Sequence, residues 1–534
     1  MPIIALIVIL LIHFRGEDDL HKFQQNSYRM KRYLKWRFGD YSRILRPHEL
    51  LFFLGLCLAS FIDTPWLKVI GLVMMLVDTY FFWLIKTAYP IKKALVYTAR
   101  VKRLKATKTL LLAALAVTCF YFPTLLFIIG LTYFVSFIYT FIAAIINKPL
   151  EHYISERYYK DAQNELSKAP HLNVLGITGS YGKTSTKNVI NTVLSKDFNV
   201  LMTPESFNTK MGLTRTLREG LKPIHQVFIA EMGAKEVGDI KELCDFVHPT
   251  MGIITSIGPQ HLESFKTLEN VIQTKGELFQ AIPSGGTLFL NCDDENIMKL
   301  PVREDVTIYR YAVGEKAKSP EAHKLNVFIK SLKLGSKGAA FTLCYKTEKN
   351  GTGSVDLTTK LLGRHNLSNI VAACAVALHL GVEPSRLPVL VASIEPVEHR
   401  LSHRLVADKY TLLDDAFNSN PVGSKMALEV LSHYEGKKKI IITPGMIELG
   451  DQADALNHAF GVAMAKVCDV VILVGPKLTL PIQAGLKEEN YPEENCHIVK
   501  SIHEAYTLLN DLVDQGDVVL IENDLPDAFN EALL

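Results

Sequence analysis

Ten residues, Gly176-Ile-Thr-Gly-Ser-Tyr-Gly-Lys-Thr-Ser185, restrict this 534-residue chain more than any other stretch. They follow the apolar run Asn173-Val-Leu175 and precede Thr186-Lys-Asn-Val-Ile-Asn-Thr-Val-Leu194, whose apolar residues recur at helical spacing. A strand that enters a glycine-rich turn and leaves as a helix aims several backbone N–H groups and the positive end of a helix dipole at one point, which suits a phosphate. In such a cradle Lys183 reaches the outer phosphates and the Thr184 hydroxyl holds Mg²⁺, so ATP and Mg²⁺ are the expected cofactors. The pattern is G-x-x-G-x-x-G-K-T, with Ile177 where the strict Walker spacing has its first glycine. A glycine-rich turn can also be no more than a helix start; the attached Lys-Thr pair argues for the phosphate site.

From Asn173 onward, short β-branched runs alternate with helical stretches. Val227–Ala230, Met251–Thr255 and Thr287–Leu290 read as strands, with helices over Lys235–Phe246 and Leu268–Phe279. This rhythm predicts an α/β fold with a mostly parallel sheet covered on both faces and ligands at the carboxyl ends of its strands. Glu231 ends one such strand, where its carboxylate can meet a metal held by Thr184; a strand-end Glu otherwise serves as a cap. His261, in Thr255-Ser-Ile-Gly-Pro-Gln-His-Leu-Glu263, lies on another loop converging on that edge and is a candidate for the metal or its water rather than a plain surface histidine. Lys275, on the next helix, is by itself a solvated charge.

Val302–Lys360, rich in Thr, Gly and Lys with an alternating pattern, predicts antiparallel hairpins inserted at the domain edge. Leu362–Asn369 reads as a polar turn leading into an Ala-rich helix over Ile370–Leu380, ended by Gly381 and Pro384. After Pro396–Leu401 a second parallel series follows, with strands at Thr411–Leu413, Ile440–Thr443, Val470–Val474 and Val518–Ile521, a domain of ordinary size. It has no GxGxxG, so a dinucleotide is not indicated.

The chain is 48% hydrophobic with a mean hydropathy of +0.15, and the excess sits before residue 147. Five apolar stretches stand there: Ile3–Phe14, Leu50–Ile62, Trp66–Ile85, Thr109–Phe122 and Thr124–Ile146. Two approach the roughly 20 residues a spanning helix needs, and three are shorter. Arg15–Glu49 carries nine Lys and Arg, and Lys86–Lys108 carries eight with no acidic residue. By the positive-inside rule these segments are cytoplasmic, which predicts a multi-pass α-helical transmembrane region with everything after Asn147 on the side that holds ATP. Ile3–Phe14 could instead be a signal-peptide core, but it lacks a basic start and a small-residue cleavage site. The basic loop Ala99–Lys105 fits a topology signal facing anionic membrane lipid better than a nucleic-acid patch, and a net charge of +3 indicates no polyanion. Asp78 inside an apolar stretch is a functional candidate or a helix-to-helix hydrogen bond. Eight scattered cysteines without a C-x-x-C pair indicate neither zinc nor disulfides.

Seven motifs in order resemble the Mur ligase family, the ATP-dependent enzymes that add amino acids to the peptidoglycan precursor, and most of all its D-alanyl-D-alanine-adding branch. They are G-I-T-G-S-Y-G-K-T-S-T-K, A-E-M-G-A at Ala230–Ala234, I-T-S-I-G-P-Q-H-L-E at Ile254–Glu263, G-R-H-N-L-S-N at Gly363–Asn369, H-R-L at His399–Leu401, D-D-A-F-N-S-N-P at Asp414–Pro421 and P-G-M-I-E-L-G at Pro444–Gly450. The resemblance covers Asn173 to Leu534. The apolar and charge pattern predicts membrane helices at 1–149 and a connector at 150–172, and the resemblance implies a central P-loop ATPase domain at 173–395 with its insertion at about 302–360 and a Rossmann-like C-terminal domain at 396–534.

It also implies roles. Gly179, Ser180, Tyr181, Gly182, Lys183, Thr184 and Ser185 would hold the phosphates, with one Mg²⁺ on Thr184 and Glu231 and a second on His261, supported by Lys275 where several family members carry a carbamylated lysine. Asn208 matches the family's active-site Asn. Asn366 would lie near adenine, Arg400 at the phosphates, Asp415 at the ribose, and Asn418 at the incoming amino acid or dipeptide. The implied reaction is ADP-forming amide ligation through an acyl phosphate.

Cytosolic members carry an N-terminal domain that grips the UDP part of the precursor; here apolar helices stand in its place. Val518-Val-Leu-Ile-Glu-Asn-Asp-Leu-Pro526 stands where that branch usually has a Lys-Gly-Ser run. Both departures favour a cell-wall precursor that is lipid-linked or gripped by a partner protein. The alternatives are a poly-γ-glutamate-type synthetase and, from another class, an ATP-driven transporter, which has no use for the C-terminal ligase motifs.

Overall fold

The computed structural model describes residues 2–39, 48–88, 94–260, 262–301, 303–335, 337–417, 419–447 and 449–524. The chain forms two compact units, one built on Met1–Arg157 and the other on Tyr158–Asp524.

The first unit is helical, with helices at Pro2–Gln25, Met30–Phe38, Glu49–Phe61, Pro65–Ala88, Ala99–Tyr121 and Leu126–Leu131 and the start of Phe137–Ser167. Val8, Ile12, Phe52, Leu56 and Met75 form its core. Helices Glu49–Phe61 and Pro65–Ala88 come together at two glycines: a Cβ on Gly55 would run into the carbonyl of Gly71, and one on Gly71 into that of Gly55. Asp78 is fully buried, 2.7 Å from His48 Nδ1 and accepting from the Tyr133 hydroxyl at 2.8 Å, so its bonds tie helix Pro65–Ala88 to the residue that opens helix Glu49–Phe61 and to the turn after Leu126–Leu131.

Three expectations change here. Residues 99–105, read as a basic loop, are the first turns of helix Ala99–Tyr121, opened by the Thr98 side chain accepting from the Val101 N–H. The stretch 124–146 is not one helix: tight turns over 132–136 separate Leu126–Leu131 from Phe137–Ser167, with the Thr132 hydroxyl turned back on the Ile129 carbonyl at 2.5 Å. Of the five apolar stretches, two become helices long and apolar enough to cross a membrane among the described residues, Pro65–Thr87 and Ala99–Tyr121.

The second unit holds two sheets. The first contains β1 (Asn173–Thr178), β2 (Val200–Met202), β3 (Val227–Glu231), β4 (Met251–Ile254), β5 (Thr287–Asn291), β6 (Thr307–Ala312), β7 (Val327–Gly335), β8 (Gly338–Thr347) and β9 (Gly351–Thr359), in the order β2-β3-β1-β4-β5-β6-β7-β8-β9. Its strands are parallel from β2 to β7, and β7 to β9 form antiparallel hairpins. The expected hairpin insertion is therefore real but starts later, because β6 continues the parallel series beside β5. Leu175, Ile177, Val227, Ile229 and Ile253 pack on one face under the helix Lys183–Leu194, and Phe228, Ala230 and Ile254 on the other. The near-continuous apolar runs reflect burial on both faces.

The second sheet contains β10 (Ser402–Val406), β11 (Tyr410–Asp415), β12 (Lys439–Thr443), β13 (Val470–Val474), β14 (Cys496–Val499) and β15 (Val518–Glu522), ordered β10-β11-β15-β12-β13-β14, with only β10 antiparallel. The segment 362–369, read as a turn, is helical from Arg364, because Gly363 takes φ +81° and opens the helix Arg364–Leu380. Its first residues are polar because they face a cleft.

Candidate functional site

β1 ends at Thr178, and the turn 179–182 carries the chain into the helix Lys183–Leu194. Gly179 has φ +148°, and a Cβ there would collide with the Thr255 hydroxyl, so only glycine allows the turn to lie against the loop after β4. That contact uses up part of the expected cradle. The Ser180 N–H donates to the Ser256 carbonyl at 2.7 Å and the Tyr181 N–H to Ser256 Oγ at 3.2 Å. In the helix that follows, Thr186 N–H is bonded to the Gly182 carbonyl. The first-turn amides of Lys183, Thr184 and Ser185 are therefore the ones a helix start presents to an anion.

Lys183 Nζ turns back onto its own loop, 2.6 Å from the Gly179 carbonyl and 3.1 Å from that of Ser180. Burial pushes its pKa down to about 8, with Glu231 opposing the shift and Arg400 adding to it. An ammonium held by neutral carbonyls in a desolvated place is strongly favoured by an arriving phosphate.

Glu231, 1% exposed at the end of β3, collects this site's side chains. Its Oε1 lies 3.2 Å from both the Thr184 hydroxyl and Asn208 Nδ2. Its Oε2 has no aligned hydrogen bond but sits 3.0 Å from Lys187 Nζ. A Cβ on Gly233 would stand 2.7 Å from Asn208, which explains the glycine in A-E-M-G: it lets the loop after β3 close on Asn208. The Thr184 hydroxyl and the Glu231 carboxylate together make a small, hard oxygen donor set, which fits Mg²⁺.

Lys275, expected to be a solvated charge unless modified, is 2% exposed, with Nζ over the Phe265 ring at 5.9 Å. Burial first and Lys183 second hold its pKa well below the usual lysine range. An amine kept neutral is the form that reacts with carbon dioxide. His261 lies outside the described residues, as does Asn418.

A cavity of about 410 Å³ opens beside the loop, lined by Tyr181, Gly182 and Ser185 on one side and by Arg400, Asp415 and Phe417 on the other. The Arg400 guanidinium lies over the Phe417 ring at 4.4 Å. His399 and Leu401 on either side of it adopt positive φ, 59° and 50°, a strained backbone that turns Arg400 into the cleft. The turn is held by Leu401 N–H donating to Asp415 Oδ1 at 3.0 Å and by His399 Nδ1 lying 2.9 Å from Asp414. Arg400 and Asp415 thus meet the P-loop across one cavity.

Asn366 does not line it. Its amide donates to the Leu362 carbonyl at 2.9 Å, and its oxygen accepts from Asn369 at 3.1 Å. Asn369 and His365 occupy the cavity wall instead. Asn369 accepts from the Thr186 hydroxyl at 2.8 Å; His365 is kept neutral by burial, its pKa near 4, with Nδ1 buried and unpaired. Three contributors escaped the sequence reading: Lys187, Asn369 and His365. Lys187 had a signal, since it stands four residues after Lys183 on one helix face.

Comparison with known proteins gives the same answer. The family models for the Mur ligase middle domain and the Mur ligase glutamate ligase domain match residues 177–377 and 399–522. UDP-N-acetylmuramoyl-tripeptide–D-alanyl-D-alanine ligase of Escherichia coli (strain K12) is 29% identical over 367 residues, covering 67% of this chain and 78% of that one. A crystal structure of MurF from Acinetobacter baumannii superposes with a TM-score of 0.60 at 25% identity, over 71% of this chain and 79% of that one. MurF ligase from Thermotoga maritima in complex with ADP shares the fold, with a TM-score of 0.60 at 22% identity over 71% and 82% of the two chains. The chain belongs to the Mur ligase family and is an ATP-dependent, ADP-forming amide ligase.

Proposed function

We propose that this chain joins an amino acid or a dipeptide of the D-alanyl-D-alanine kind to a carboxylate of a cell-wall precursor, through an acyl phosphate. The precursor carboxylate oxygen forms a bond to the γ-phosphorus of ATP as ADP leaves. The amine nitrogen then forms a bond to the acyl carbon, phosphate departs, and one proton passes to a base. The observation that carries this reading is the meeting of Thr184, Asn208 and Lys187 on Glu231, with Arg400 facing the adjoining phosphate loop, Tyr181, Gly182 and Ser185, across the cavity.

In this reading Lys183 and the first-turn amides grip the outer phosphates, and Arg400 neutralises the transferred group. Thr184 and Glu231 hold Mg²⁺, which when bound screens phosphate charge. His261 serves a second ion, with Lys275 carbamylated beside it. Asn208 orients Glu231. Asp415 faces the ribose, the wall formed by His365 and Asn369 receives the base in place of Asn366, and Asn418 lines the amine site. The loop 399–401 together with Asp415 and Asn418 forms the share of the site that comes from the C-terminal domain, residues 396–534.

The N-terminal unit supports a membrane-bound reading. Helices Pro65–Thr87 and Ala99–Tyr121 are only 22% buried over their apolar windows, and Val69, Val73, Tyr80, Leu110, Val117 and Phe120 are all more than half exposed. Such a surface is covered by lipid or by a partner, and a lipid-linked acceptor follows from the anchor. ATP-dependent phosphate release by the full-length protein in detergent tests this, offering D-alanyl-D-alanine with UDP-N-acetylmuramoyl-tripeptide or with its lipid-linked form. Turnover on the lipid form supports the reading. Full activity of the soluble fragment on the UDP form refutes the lipid-linked acceptor, and phosphate release with neither refutes the wall precursor.

A further inference from the structure

Two carboxyls end adjacent strands of the second sheet. Asp415 and Glu522 are register partners on β11 and β15, so their side chains share one face of the sheet. Glu522 is completely buried. Its Oε1 accepts from the Ser419 hydroxyl at 2.6 Å, its Oε2 is buried without a donor, and the carboxyl as a whole lies beside Asp415. Asp415 accepts from the Leu401 N–H and lines the cavity. Among the charged groups around the pair, Arg400 faces Asp415 but is shared with Glu231, and Asp414 is turned to His399.

Two carboxyls this close and this buried cannot both be ionised; one proton sits between them. Burial raises both, Arg400 and the Leu401 N–H pull Asp415 back, and Asp415 pushes Glu522 up further, so the proton belongs to Glu522.

We propose that Glu522 is a positioning residue, whose protonated carboxyl donates a hydrogen bond to Asp415 and fixes the Asp415 carboxylate toward the nucleotide side of the cavity. This rests on the reading of Asp415 as the ribose-facing group. When that proton leaves as pH rises, two adjacent anions repel and Asp415 loses its aim.

The test measures the affinity of full-length protein for fluorescent ADP between pH 7 and 9.5, in wild type, Glu522→Gln and Glu522→Leu. Lys183 titrates in this range in all three, so differences between the profiles report on Glu522. Wild-type affinity should fall by up to about tenfold per pH unit more than that of Glu522→Gln, whose amide keeps the donor and has no proton to lose. Glu522→Leu should bind ADP more weakly throughout. Superposed wild-type and Gln profiles, or unaltered affinity in Leu, overturn the proposal.

Thermal melting reads the shared proton without nucleotide. A carboxyl raised on folding contributes stability that is complete below its unfolded pKa and is lost as pH rises toward the folded one. Glu522→Gln should therefore melt above wild type by a margin that grows from pH 6 to 9. A constant or absent margin overturns the proposal; a growing margin in a protein that binds no ADP overturns the nucleotide reading instead.

Discussion

The helical unit and the ligase unit both bury ionisable side chains, but around the helical unit's Asp78, Asp19 and Glu17 these groups meet one another, whereas around the P-loop several do not. There Asp78 takes His48 and Tyr133, Asp19 takes Tyr33, Arg37 and Ser136, and Glu17 takes Lys105 and Lys108. In the ligase unit Lys183 leans on its own loop carbonyls, Lys275 lies over an aromatic ring, and Glu231 holds an oxygen out of line with Lys187. A satisfied network specifies packing, whereas an incompletely satisfied one is a place prepared for a ligand. The difference separates a structural use of charge from a chemical one.

The comparison can be broken most decisively at Lys183. Lys183→Met should reduce phosphate release about 10³-fold while leaving the melting temperature nearly unchanged, as read by a phosphate assay beside thermal melting. A fold-dependent loss would place Lys183 with the structural charges.

Asp78→Ala should do the opposite. It leaves His48 and the Tyr133 hydroxyl buried without their acceptor and should cost about 3 kcal/mol of stability in denaturant titration of the detergent-solubilised protein. A neutral effect there would mean that the helical network is not satisfied by its own members.

A smaller effect is expected from Gly233→Ala. The added methyl meets Asn208 and should lower kcat about tenfold, with ADP affinity held, because it disturbs the orientation of Glu231 and not the phosphate loop.

The smallest signal is a proton. With Lys183 depressed to about 8, half of it is neutral at pH 8, and phosphate binding restores the charged form. ADP binding at pH 8 should thus take up as much as about 0.5 proton, and almost none at pH 6.5, as measured by calorimetry in buffers of different ionisation enthalpy.

The central motifs were legible because each is a local solution to a local demand. Gly179 and Gly182 announce a turn other residues cannot make, and Glu231 closes an apolar run of the length a buried strand needs. That Asn366 turns to Leu362 and Asn369 was not legible, for the opposite reason: G-R-H-N-L-S-N reads the same whichever side chain faces the cavity, and the facing is set by how helix Arg364–Leu380 packs on the sheet. The break at 132–136 was hidden for a similar reason, since an apolar run does not say where tertiary contacts will interrupt it.

By itself the sequence determined the strand-turn-helix at Gly176–Ser185, the two parallel-sheet series and the family, because periodicity and glycine placement act over a few residues. Only the tertiary structure decided which amides the loop after β4 consumes, that Lys187 meets Glu231, and that the carboxyls of Asp415 and Glu522 stand side by side. Those depend on distances between segments more than a hundred residues apart in the chain at the extreme, which only packing brings together.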